Sequence, residues 1–150
     1  MELYESDYRV RTAIYALWLD LGHAPTIADL ATVLDLTESQ TTDALERLDS
    51  AHHIFLDPTT RNLRMANPLS AIETDYRVKV DDHWLYANCA WDTLGIPAMT
   101  GDATQIEAIL PLSDEIIQYE IKSGQLIAPH GLLVHFSLPV RQWYDDLIHT

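Results

Sequence analysis

What most constrains this chain is how the spacing of its apolar residues changes along it. Through about residue 50 they recur at intervals of three and four, the period of a helix lying against a core. From Tyr4 to Leu21 the set is Val10, Ala13, Ile14, Ala16, Leu17 and Leu21, punctuated at its end by Gly22 and Pro25. Thr26 offers an N-cap hydroxyl with Asp29 three residues on, ahead of Leu30, Ala31 and Leu34. Thr37 caps a third helix, through about Ser50, that turns Ala44, Leu45 and Leu48 inward. His53–Leu56 and Leu63–Ala66 then flank the turn residues Asp57–Asn62, which reads as strand, turn, strand. Three helices followed by a hairpin is the winged-helix layout, assigned here to a lobe over residues 1–70.

A winged helix raises the question of DNA, and charge answers it. Nine Lys and Arg stand against 23 Asp and Glu, a net charge of −14. Affinity for a phosphate backbone comes largely from cations that displace condensed counterions, so this surface repels nucleic acid and anionic membranes alike. The helix that would enter a groove begins Glu38-Ser39-Gln40-Thr41-Thr42-Asp43, with no Lys or Arg. A transcription regulator is therefore disfavoured, and the lobe reads as scaffold. No apolar run is long enough to span a bilayer, and the opening Met-Glu-Leu-Tyr-Glu-Ser-Asp has neither the basic nor the apolar part of a signal peptide. A single cysteine excludes an intramolecular disulfide and suits a reducing compartment. The expectation is a cytoplasmic protein with neither a membrane nor a nucleic-acid partner.

The second lobe, residues 71–150, is expected to hold the chemistry. Pro68 marks a linker, and Tyr76–Val80 alternates as a strand. Asp81 or Asp82 then caps a helix from about His83 to Leu94, followed by Gly95 and stopped by Pro97. Strands follow at Gln105–Leu110 and Glu115–Lys122, and Val134-His135-Phe136 alternates as another. The whole is α+β: a three-helix lobe with a hairpin, packed on a helix and a small mixed or antiparallel sheet, the two sharing one core. The lone Cys89 and Asp92 are three residues apart, close enough on one helix face to touch. A neighbouring carboxylate raises a thiol pKa, which serves a simple nucleophile badly. The pair makes better sense around a soft cation, with sulfur as ligand and the carboxyl as proton carrier. His135 is the third candidate ligand, turned toward a pocket by its alternation, and His130 and His149 are further ones. Trp84, Tyr86, Trp91, Trp143 and Tyr144 are expected to pack beside Cys89, whereas the adjacent His52 and His53 diverge and chelate poorly.

The stretch Tyr86-Ala87-Asn88-Cys89-Ala90-Trp91-Asp92-Thr93-Leu94-Gly95-Ile96-Pro97-Ala98 resembles the active-site helix of the alkylmercury (organomercurial) lyases. A second similarity lies in Val134-His135-Phe136-Ser137-Leu138-Pro139 and the following Arg141-Gln142-Trp143-Tyr144-Asp145-Asp146. The resemblance implies that Cys89 is a mercury-binding thiolate and that Asp92 donates a proton to the departing carbon. It implies an organomercurial substrate and Hg(II) product, with no separate cofactor. Two thiolates on mercury weaken its bond to carbon, and this chain holds one cysteine. An external thiol, or a second subunit of a homodimer, is expected to supply the other. The alternative is a non-catalytic metal-binding or interaction protein on the same scaffold.

Overall fold

The computed structural model describes residues 2–101, 103–136 and 138–145. Three helices open the chain: α1 (Glu5–Leu21), α2 (Ile27–Leu34) and α3 (Glu38–Ser50). Their starts are fixed by local chemistry. Thr26 accepts from the Asp29 N–H while the Asp29 carboxylate accepts from the Thr26 N–H, and Thr37 and Gln40 do the same for α3. At α1 the Asp7 carboxylate accepts from the Tyr4 N–H at 2.9 Å and also meets Arg47 of α3 at 2.7 Å, a buried acid fastening two helices. Gly22 ends α1 at φ 76°, and a Cβ there would stand 2.5 Å from the His83 ring.

The strands follow as β1 (Phe55–Leu56), β2 (Leu63–Ala66), β3 (Leu69–Ser70), β4 (Tyr76–Val80), β5 (His83–Ala87), β6 (Ala103–Ile109), β7 (Ile116–Lys122) and β8 (Gln125–Ile127). One antiparallel sheet takes them all, in the order β1-β2-β3-β5-β4-β6-β7-β8. A single buried cluster joins helix to sheet. It runs from Val10, Ile14 and Trp18 through Leu48 to Leu69, Val78, Leu85, Ile96 and Ile106. The α+β architecture and the antiparallel sheet agree with the sequence reading. Among the described residues no helix is long and apolar enough to cross a membrane.

Three readings need correction. Pro68 is not a linker: it sits in the tight turn between β2 and β3, directly before the fully buried Leu69. The helix expected over His83–Leu94 is largely strand. Asp81 and Asp82 make the two-residue turn of a β4–β5 hairpin, with Val80 opposite His83 and Asp81 at φ 51°. Aspartate tolerates that left-handed geometry, and Leu85 and Ala87 alternate inward while Trp84 and Tyr86 face the other way. The helix comes later, as α4 (Asp92–Thr100), and contains both Gly95 and Pro97 rather than ending at them. Gly95 lets α4 cross the β2–β3 turn closely: a Cβ there would lie 3.0 Å from the Pro68 ring, so that ring would have to give way. The third correction is that residues 132–136 form no strand.

Candidate functional site

The site forms where β5 ends. After Ala87 the chain turns through Asn88, Cys89, Ala90 and Trp91 and enters α4 at Asp92. Cys89 and Asp92 are thus not neighbours on a helix face but flank the turn that starts one. They still meet: the Cys89 thiol donates to Asp92 Oδ2 at 3.6 Å. Both are half-buried and line a cavity of about 300 Å³ with Tyr76, Asn88, His135 and Trp143.

Burial dominates the electrostatics of the pair. It pushes the Cys89 thiol above its ordinary value, and the Asp92 charge adds to the rise. Backbone N–H groups of Trp91 and Asp92 pull the other way, as amides at the start of a helix do for a thiolate. The Asp92 carboxyl is also raised by burial, against the opposing hydrogen bonds of Cys89 and Asn88. Burial thus shifts both groups in the same direction, toward their protonated forms.

The turn carrying the pair is locked from below. Thr93 is fully buried; its hydroxyl donates to the Ala90 carbonyl at 2.6 Å and shares a hydrogen bond with the Tyr119 hydroxyl of β7 at 2.5 Å. No side chain caps α4 at Trp91, so this clamp holds its first turn. Sequence reasoning missed Thr93 and Tyr119. The alternation of Ile117, Tyr119 and Ile121 marks Tyr119 as one of a face, but nothing local says that this face meets α4.

His135 lines the same cavity from an exposed, irregular segment rather than from a strand. No three or more His, Cys, Asp or Glu side chains among the described residues stand together as a metal-holding group, so Cys89, Asp92 and His135 do not form a ready chelate. His130 lies in an exposed turn and does not line this cavity, while His149 falls outside the described residues. Of the five aromatics, Trp143 is on the cavity wall, and Phe136 links it to Trp91 with ring centroids 5.5 and 6.0 Å away. Trp84 lies under Arg77, Tyr86 lies beside Glu73, and Tyr144 stacks on His52. His53 meets Tyr8 instead, so the two adjacent imidazoles do diverge.

Fold and site together define an α+β protein that presents a half-buried thiol against a half-buried carboxyl on the wall of one cavity. The sequence model of the alkylmercury lyase family matches residues 69–148, and the chain belongs to that family. Alkylmercury lyases of Bacillus cereus and Clostridium butyricum are each 29% identical to it over 107 residues. The match covers 71% of this chain and 47% of each relative, so the chain spans about half the length of the curated relatives it matches. The crystal structure of the mercury-bound form of MerB2 shares the fold, with a TM-score of 0.65 at 20% identity over 84% of this chain and 60% of that one.

Proposed function

We propose that this protein binds organomercurials through Cys89 and cleaves their carbon–mercury bond with a proton from Asp92. The observation that carries the reading is the 3.6 Å contact between the only thiol and a half-buried carboxyl on the wall of one cavity. Family membership and the mercury-bound relative of the same fold support it. The chemistry balances as follows. An organomercurial carried on a small thiol exchanges onto Cys89, whose proton leaves with the displaced thiol. The Asp92 carboxyl then delivers its proton to the carbon, the carbon–mercury bond breaks, and the hydrocarbon departs. Mercury stays on sulfur. A second thiol supplies the other mercury ligand, and its proton restores the Asp92 carboxyl. Soft sulfur suits the soft metal, and holding acid and carbon together provides the effective concentration. These 150 residues hold one cysteine, so the second thiol comes from outside them, as a free small thiol or from further polypeptide.

Phenylmercury incubated with the protein and an excess of small thiol tests this directly. Benzene is the expected product, and Cys89→Ser and Asp92→Asn are each expected to abolish it. Stoichiometric mercury capture without benzene would leave a non-catalytic mercury-binding protein. A native Cys89 closed to thiol reagents would remove both.

A further inference from the structure

A second cavity, of about 270 Å³, adjoins the one that holds Cys89 and Asp92, and the two share Tyr76, Ala90, Val134 and His135 as common wall. Its remaining lining is dominated by Leu94, Ile109, Ile117, Leu126, Leu132 and Leu133, with no Asp, Glu, Lys or Arg. One short segment contributes to both compartments. Ala90 follows Cys89 by one residue and Leu94 follows Asp92 by two, so this part of the apolar wall is fixed to the thiol and the acid by a few bonds.

We infer that this second cavity seats the organic group of the mercurial and selects flat, bulky apolar groups over methyl. The inference rests on the proposed capture of mercurials by Cys89. Three features carry it. The metal and its bonded carbon belong with sulfur and carboxyl in the first cavity, and a bulky organic group extends from there across the shared boundary. The compartment beyond that boundary offers apolar surface and no charge, which favours burial of hydrocarbon from water. Size sets the preference: an apolar cavity of about 150 Å³ suffices for benzene, so this one accepts an aryl ring with room to spare. A methyl group would leave most of the same walls without a partner.

The test measures how methyl-, phenyl- and naphthylmercury partition between Cys89 and a small free monothiol. The Asp92→Asn protein is used, in which the carbon–mercury bond is expected to survive, and the adduct is read by mass spectrometry. The free thiol cancels the intrinsic sulfur–mercury affinity, so what is left reports the cavity. Phenyl is expected to be favoured over methyl by about tenfold or more. Ile117→Trp, which fills the compartment, should bring that ratio close to one, and Ile117→Ala should shift preference toward naphthyl. Equal partition of all three groups in the unfilled protein would overturn the subsite while leaving Cys89 capture intact. Failure to form any Cys89 adduct would overturn the proposed function and the subsite together.

Discussion

The helices at the start of this protein and the strands at its end are held by different means. In α1, α2 and α3 each N-terminus is closed by reciprocal hydrogen bonds, and Asp7 and Arg47 pair between helices around a sealed interior that includes Ile14, Trp18 and Leu48. At the other end β8 is exposed at all three residues, and Leu112 and Leu133 are 101% and 93% accessible. The Cys89–Asp92 cavity lies between these regimes. Its floor comes from the rigid sheet and α4, and part of its wall comes from the loosely covered segment around His135. Binding surfaces are commonly drawn from the less stable part of a fold, because a guest must be able to enter. The difference teaches that stability and ligand access are divided between regions.

Substitutions that separate the two regions can break or sharpen that contrast. The largest effect is expected from Asp7→Ala, which strands the Arg47 guanidinium without its counter-charge and should cost about 3 kcal/mol in urea unfolding. Mercurial capture by Cys89 should be unchanged. Arg47 holds the Asp7 carboxyl below its ordinary value of 3.8, so this stabilisation is complete at neutral pH and is lost as pH falls through the lowered value. An acid titration of stability should show that loss in the native chain and not in the variant. Next comes Gly22→Ala, which forces a side chain into the left-handed region against His83 and should cost about 1–2 kcal/mol in thermal unfolding. Tyr119→Phe removes the bond to Thr93 and should cost about 1 kcal/mol. Unlike the first two, it should also slow benzene release, because it loosens the turn that aims Cys89 at Asp92. The smallest effect is expected at Leu112→Ser, within about 0.5 kcal/mol in either direction. A loss of several kcal/mol there would show that the strand end is as firmly packed as the helices and would undo the contrast.

The same division governs what could be read from sequence. Helix starts were legible because capping is settled within four residues: Thr26 with Asp29 holds wherever the helix later packs. The pairing of Cys89 with Asp92 was legible for a related reason, since three residues can meet either along a helix or across the turn that begins one. The element around them was misjudged. Asp81-Asp82 serves equally as a helix start and as a hairpin turn, and only the pairing of Val80 with His83 decides between them. What depended on distant chain was not legible at all. Tyr119 reaches Thr93 across 26 residues, and Tyr76 joins His135 on one wall through sheet order rather than local pattern.

The central claim is that sulfur holds the metal while the neighbouring carboxyl attacks the carbon bond with its proton. It is tested most directly by loading Cys89 with phenylmercury, removing free mercurial, adding thiol, and following benzene in a single turnover across pH. Since burial raises the Asp92 pKa, release should be fast while that carboxyl keeps its proton and should decline as pH rises through the raised value. In Asp92→Asn the loaded protein should hold its phenylmercury, with release slowed by about 100-fold or more and no such decline. Benzene released by Asp92→Asn at the native rate would contradict the account.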